Sequence, residues 1–344
     1  MQKIIIHKPG GYEQLCIEKH PDLTPCPGEV LIEVEAIGIN YADCVTRMGL
    51  YASARQYVGY PITPGFEVAG RVAACGAGVD DLDNGTPVIG ISRFGAYATQ
   101  VAIPRQQVFT LPGKLSIAEG AGFPAVFLTA WYALFELAHP HSGDRILIHS
   151  AAGGVGGALV QLGKLAGCHV TGVVGAGHKT NTVYKSGADE VIDKSHQDLW
   201  QEANRISPDG YQVILDANGP STLAQSYRHL APMGKLVVYG FHGMLPRTGQ
   251  RMNRIKLAWD YLRTPRFNPF RLTTENRGVL GFNLSFLFDQ PAVLLEGMSQ
   301  LLKWIDSGRI SPPQLRTYPL NQVADAHRAL ESGQSTGKLV LVVP

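Results

Sequence analysis

Cysteine is scarce and unpaired in this sequence. Cys16, Cys26, Cys44, Cys75 and Cys168 are scattered along 344 positions with no Cys-x-x-Cys spacing, which excludes a disulfide framework and a cysteine-rich zinc lobe. An excess of one charge is also missing. Thirty Lys+Arg against 28 Asp+Glu leave a net charge of +2, far from the basic balance of a dedicated nucleic-acid binder, so no DNA partner is expected. No apolar run approaches the roughly 18 residues of a membrane span. The apolar stretch near the start, Ile4 to Ile6, is too short for a signal-peptide core. The scattered histidines form no His-Glu-x-x-His pair, and there is no Gly-x-Ser-x-Gly elbow, which argues against zinc-protease and serine-hydrolase chemistry. The expectation is a soluble protein of a reducing, cytoplasmic compartment.

What is present is ample apolar material: 45% hydrophobic against 17% charged residues, enough for packed cores. At roughly 100–200 residues per domain the length suggests two domains. The first third reads as β. Residues 29–39 alternate charged and apolar positions, and 67–74, 86–91 and 96–103 are further short strands punctuated by Gly and Pro. Residues 116–139 have helical spacing, with Ser116 as N-cap and a break at Pro124. Strands at 145–149, 169–174, 190–192, 211–216, 235–240 and 279–287 then alternate with helices at about 154–166, 178–186, 221–231 and 251–263. Near-continuous apolar strands alternating with helices predict a doubly wound parallel sheet. A helix at 291–307, a helix at 321–332 and a strand at 338–343 close the chain and return to the β character of the start. The expected division is 1–121, 122–288 and 289–344.

The sharpest motif is the run from Asp144 to Gly157. A buried strand leads into Ala151, Ala152, Gly153, Gly154, Val155 and Gly156 and then into a helix. Small residues let the chain turn tightly and let backbone N–H groups at the helix N-terminus approach a pyrophosphate. The flanking strand and helix are the context that a dinucleotide fingerprint requires. NAD-specific folds place an acid about 20 residues further on to bind the ribose. Here Val174, Gly175, Ala176, Gly177, His178 and Lys179 offer no acid. Gly175 leaves room and Lys179 offers charge for a 2′-phosphate, so NADP(H) is the expected cofactor; a solvated first-turn lysine is the other reading of Lys179.

Over its whole length the chain resembles the medium-chain dehydrogenase/reductase superfamily. The resemblance is carried by Gly38-Ile-Asn-Tyr-Ala-Asp43, Pro64-Gly-Phe-Glu-Val-Ala-Gly70, Leu128-Thr-Ala-Trp-Tyr-Ala133 and Ala151-Ala-Gly-Gly-Val-Gly156. Zinc alcohol dehydrogenases of that superfamily carry Cys and His where this chain has Asn40 and Phe66, and only Glu67 survives, so no zinc is expected. Among zinc-free branches the sequence is similar to quinone oxidoreductases of the zeta-crystallin type, and most of all to the vesicle amine transport protein homologues. Residues 206–210, 227–240 and 276–284 carry that closer likeness.

This resemblance implies a GroES-like β domain, a Rossmann domain, NADPH, and a homodimer joined through 279–287. It implies a cleft near the nicotinamide lined by Asn40 and Tyr51, with Asp43 beside them. Asp43 equally suits helix capping, Asn40 is open to the same reading, and Tyr51 equally suits packing. On the Rossmann side it implies Thr129, Asn218, Gly240, Phe241 and Phe282 at the cofactor. The expected reaction is hydride transfer to a quinone or similar conjugated carbonyl, with hydrogen-bond donors replacing a Lewis acid. An enoyl or alkenal double-bond reductase is the alternative.

A third expectation comes from 245–271. Seven bases, Arg247, Arg251, Arg254, Lys256, Arg263, Arg266 and Arg271, face a single acid, Asp260, while Met252, Ile255, Trp259 and Leu262 recur at helical spacing. Such a segment either packs its apolar side on the Rossmann domain or makes a weak, salt-sensitive membrane contact. The latter would suit a weakly catalytic, nucleotide-binding regulatory protein.

Overall fold

The computed structural model describes residues 1–245 and 253–344. Its first sheet is built around the strand Glu29–Ile39, whose β-branched inner face is buried at Val30, Ile32, Val34, Ile37 and Ile39. That strand pairs antiparallel with Glu67–Cys75 on one side and with Lys338–Val342 on the other, Gly38 opposite Val340. Leu315–Pro319 lies parallel to Lys338–Val342 at one edge, and Pro87–Ile91 and Val108–Thr110 extend the other. The last strand of the chain is therefore a central neighbour of the first long one.

The expected strand at 96–103 is shorter, Gln100–Pro104. Ala96 and Tyr97 are instead drawn inward, where Tyr97 is fully buried and hydrogen-bonds Asp43.

Ser116 caps the helix Ile117–Gly122 in a reciprocal box with Glu119. Pro124 opens a second helix, Pro124–Trp131, which continues into a wider-wound turn over Tyr132–Ala138. The proline thus marks a junction between two helices, because its ring suits a first helical position.

The second sheet is parallel throughout. Its order is Glu190–Asp193, His169–Val174, Arg145–Ile148, Tyr211–Asp216, Leu230–Val238 and Gly278–Gly281. The chain reverses direction across the sheet beside Arg145–Ile148, the switch point where such folds bind ligands. The strand expected at 279–287 is only Gly278–Gly281. Asn283 accepts a hydrogen bond from Ser285 N and starts a short 3₁₀ helix, Leu284–Asp289, so the continuous apolar run is bent rather than extended.

The helix Pro291–Asp306 buries Leu294, Met298, Leu301 and Ile305 in the same core as the Rossmann strands. The chain re-enters the first sheet only after it. Among the described residues no helix is long and apolar enough to cross a membrane.

Candidate active site

The turn after Arg145–Ile148 is made of small residues, of which Ala151, Ala152 and Gly156 are buried. Ala151 N donates to Val173 O, and Gly337 N donates to Ala152 O, which ties the turn to the last part of the chain. A Cβ on Gly156 would lie 2.3 Å from Ser150 O and 2.7 Å from Ala151 Cα. Glycine is required there because the helix Gly154–Leu165 packs directly on the strand behind it. Gly153, the N-cap of that helix, is different: a Cβ there would meet only Ser150 O, at 3.4 Å. Gly153, Gly154 and Val155 are only half-buried. The orphan N–H groups of a helix N-terminus point outward from such a place and form an anion cradle.

Beside this turn, Ser150 adopts φ +54 and donates to Asn218 Oδ1 at 3.0 Å, with His242 Nε2 at 3.3 Å. Asn218 is buried with Nδ2 unpartnered. A buried donor without a partner is costly, and this one fits a bound ligand at the carboxyl end of the sheet. Burial pushes the His242 imidazole down to about 4, with the Asp216 carboxylate opposing, so the ring is neutral at pH 7. Its edge meets the Tyr41 ring across the gap between the two units, with centroids 5.8 Å apart. Phe241 is exposed and packs over Gly219; Gly240 sits against Ala217.

Gly175, directly after the strand His169–Val174, is exposed, and a Cβ there would meet only Lys194 Cε, at 3.7 Å. Lys179 departs from expectation. Its side chain is buried, and its ammonium donates to the carbonyl oxygens of Gly333 and Ser335. Burial first, and the nearby Lys194 second, lower its pKa. Lys179 is therefore a tie between the Rossmann unit and the loop before the last strand rather than a free phosphate donor. Asp193, on the adjacent strand, lies 3.2 Å from the Cβ position of Gly177 and is held by Ser195 and His196.

On the other wall, three segments converge on the buried carboxylate of Glu67. Glu67 Oε2 accepts Ala125 N, at the start of helix Pro124–Trp131, at 2.7 Å. Glu67 Oε1 accepts Asn40 Nδ2 at 2.8 Å and lies 2.6 Å from Lys338 Nζ. Lys338 Nζ also donates to Asn40 Oδ1. Lys338 and Glu67 are 3% and 0% exposed, an ion pair isolated from water except through Asn40. A Cβ on Gly38 would stand 2.3 Å from both Ala121 O and Glu67 Oε1, so only glycine lets this carboxylate in. Lys338 was not singled out by the sequence; its partner Asn40 is 298 positions away.

Asp43 is a correction. It is fully buried and faces no cleft. Its carboxylate accepts Asn40 N at 2.7 Å, Gly65 N at 3.1 Å and Tyr97 OH at 3.0 Å. Burial pushes it up to about 7 against those donors and the Lys338 charge. Asp43 caps the helix Tyr41–Arg47 and pins the Pro64-Gly-Phe-Glu turn, which makes it a positioning residue.

Tyr51 lies on an aromatic wall, edge-on to Phe66 at 5.9 Å and to Phe94 at 6.3 Å between centroids. Its hydroxyl donates to Asn283 Oδ1 at 2.8 Å, bridging the two units, and burial pushes its pKa up to about 12. Phe94 and Asn283 had no sequence signal, because each gains its place only from the partner segment.

Thr129 turns its hydroxyl onto Ala125 O of its own helix at 2.6 Å. Phe282 packs its ring on Tyr132 and Tyr239 while its N–H donates to Val238 O.

A zinc ion does not fit the Asn40–Glu67 wall. Phe66 has no donor atom, Asn40 is a weak one, and the Glu67 carboxylate already carries an ammonium and two N–H donors. Among the described residues one other cluster has ligand-type side chains within reach of each other, Cys44, His327 and Glu331. It is equally unsuited, because Glu331 is held by the buried Arg47 guanidinium and by Tyr12, and burial raises the Cys44 thiol.

Comparison with known proteins agrees with this architecture. Residues 26–113 match the alcohol dehydrogenase GroES-like domain, and 186–341 match a zinc-binding dehydrogenase family. The rat synaptic vesicle membrane protein VAT-1 homolog is 33% identical over 336 residues, covering 97% of this chain and 82% of the relative. The Escherichia coli quinone oxidoreductase complexed with NADPH superposes with a TM-score of 0.85 at 28% identity, over 99% of this chain and 100% of that one. The CurK enoyl reductase gives 0.83 at 25% identity, over 100% of this chain and 99% of that one. By sequence and by fold, the chain belongs to the medium-chain dehydrogenase/reductase superfamily, in its quinone oxidoreductase and VAT-1 homologue branch.

Proposed function

We propose that this protein is a zinc-independent, NADPH-dependent oxidoreductase that delivers hydride to a quinone. The observation that carries the acceptor class is the aromatic wall in which buried Phe66 backs the half-buried rings of Tyr51 and Phe94, which offer apolar area suited to a flat ring. NADPH fits the Gly153–Gly156 cradle, the open Gly175 and the unpartnered Asn218 Nδ2; the relative crystallised with NADPH supports the choice. When bound, NADPH supplies a hydride, and a solvent proton completes the hydroquinone.

The protein's own share is binding, orientation and charge stabilisation. The helix N-terminus at Gly153 and Gly154 holds the pyrophosphate. The aromatic wall holds the acceptor ring and excludes water. Asn40 offers an N–H to the acceptor oxygen as negative charge builds there. Tyr51 stays protonated across the physiological range, and its bond to Asn283 closes the two units over the acceptor.

The test is NADPH consumption, with NADH in parallel, against ortho-quinones, para-quinones, enones and enoyl thioesters. Turnover of a quinone with NADPH at least tenfold faster than with NADH, unaffected by a chelator, is the expected result. Turnover of enoyl thioesters alone would transfer the assignment to a double-bond reductase, the reading that the CurK likeness favours.

A second reading rests on the helix Arg254–Leu262. Ile255, Trp259 and Leu262 are 84%, 59% and 68% exposed, and Phe270 nearby is 84% exposed. The expected helix at 251–263 is observed from residue 254; Arg247, Arg251 and Met252 lie outside the described residues. Lys256 and Arg271 pair with Asp260 and Glu275, while Arg263 and Arg266 have no acid partner among the described residues. Exposed apolar side chains ringed by bases suit an anionic membrane surface. Sedimentation with vesicles containing phosphatidylserine should carry the protein down at low salt and release it at high salt. Absence from the pellet at low salt removes this reading. The free edge of Gly278–Gly281 is where we place a homodimer contact.

A further inference from the structure

The Asn40 carboxamide has its orientation dictated by chemistry. An ammonium has no acceptor atom, so the amide atom facing Lys338 is the oxygen. A carboxylate accepts from the amide, so the atom facing Glu67 Oε1 is the nitrogen. Flipping the amide would set oxygen against carboxylate and NH₂ against ammonium. One Nδ2–H is consumed by Glu67. The other has no protein acceptor among the described residues, and Asn40 is half-exposed where the two units meet. Lys338 is itself fixed: its stem runs 3.7 Å from the Cβ position of Gly154 in the glycine turn, and Gly122 lies against its Cγ. Glu67 is fixed from the far side by Ala125 N.

We propose that Lys338 and Glu67 are positioning residues that lock the Asn40 carboxamide so that its remaining Nδ2–H is presented to the acceptor oxygen. The inference rests on the hydride-transfer reading above and adds to it the residues that set the donor. The lock supplies directionality that a free asparagine lacks. A hydrogen-bond donor aids hydride transfer only if it is aimed before charge develops. Lys338 directly follows Gly337, whose backbone bridges Gly153 and donates to Ala152 O, so the glycine turn and the residue that orients the donor are joined through the backbone.

The experiment uses the full chain with NADPH and 9,10-phenanthrenequinone as probe. Three variants are compared: Lys338→Met, Asn40→Ala and the double variant. Lys338→Met/Glu67→Gln, which removes both buried charges, is carried alongside because a lone buried carboxylate destabilises the fold. NADPH affinity is measured by fluorescence titration. Selective ¹⁵N-asparagine labelling reads solvent exchange at the Asn40 side-chain amide without any turnover.

Lys338→Met should lower kcat about tenfold or more, equivalent to ~1.4 kcal/mol of transition-state stabilisation, while NADPH affinity holds within about threefold. The double-charge variant should lower kcat comparably. In both, exchange at the Asn40 amide should accelerate at least tenfold. The Asn40→Ala/Lys338→Met protein should be no slower than Asn40→Ala, because the two act through one group. Multiplying losses in the double variant, or an unchanged amide exchange rate, overturns the positioning role. An unchanged kcat in Asn40→Ala alone overturns the donor assignment beneath it, and the two failures are thereby told apart.

Discussion

Gly153→Asp should keep or raise the protein's stability and abolish its use of NADPH. Gly153 is the N-cap of Gly154–Leu165, with φ −79 and ψ 174, a conformation any residue adopts. A Cβ meets only Ser150 O, at 3.4 Å, so a small side chain enters with little strain. Aspartate is among the best N-cap residues, and its charge complements the helix dipole. Replacing glycine should leave stability unchanged or raise it, by up to about 1 kcal/mol. The same carboxylate occupies the anion cradle and satisfies N–H groups that a pyrophosphate would need. Loss of affinity should be about 100-fold or more, since competition for the donors and like-charge repulsion add. Gly153→Ala is the control: it lacks the charge and should stay within about tenfold of the native affinity. A thermal melt and an NADPH titration on the two proteins decide it. Native affinity in Gly153→Asp would move the pyrophosphate elsewhere. Gly156→Asp would be a poorer probe, because a Cβ there collides with Ser150 O at 2.3 Å and the fold would suffer first.

Gly38→Ala should damage the fold and the site together. Gly38 lies opposite Val340 in the middle of the first sheet. The new carbon would lie 2.3 Å from a helix carbonyl, Ala121 O, and from the Glu67 carboxylate. Neither neighbour can yield. The carbonyl belongs to the helix Ile117–Gly122, and Glu67 is held by Ala125 N, Asn40 and Lys338. Overpacking a core commonly costs about 1–3 kcal/mol, and displacing a buried ion pair adds a penalty of comparable size. The expected result is a fall in melting temperature of about 5 °C or more for a chain of this size. What folds should have lost most of its kcat, because Asn40 loses its anchor. A melt within a degree of the native protein would show that the sheet and helix can part without cost.

These two glycines show where the sequence was legible and where it was not. Both lie in motifs visible at once, and the strand–turn–helix context of the second was sufficient to place it. Local signals served well. The alternation over 29–39, the cap at Ser116 and the proline at 124 all carry their cause within a few residues, and the structure follows them. The apolar continuity of 279–287 reads as one strand and hides the Asn283 cap that bends it. No local signal marks Lys179 as a tie, because the carbonyls that hold it lie 154 and 156 residues away. Asp43 was placed near the chemistry by its neighbours in sequence, yet its three donors turn it into the body of the β unit. Lys338, Phe94 and Asn283 were silent. Each is ordinary in its local context and acquires meaning only from contacts across the fold.

The route of the chain gives the site an order of assembly. Asn40 is synthesised early, and the lysine that orients it belongs to the last strand, which slots between Glu29–Ile39 and Leu315–Pro319. On a ribosome the β unit must wait, with positions 36–39 of its longest strand open on one flank, while the whole nucleotide-binding unit is made. Only then does the closing strand insert, carrying a cation into the carboxylate that awaits it. A nascent chain halted before residue 338 would hold an exposed strand edge and an unneutralised buried acid, a species fit for a chaperone and unfit for chemistry.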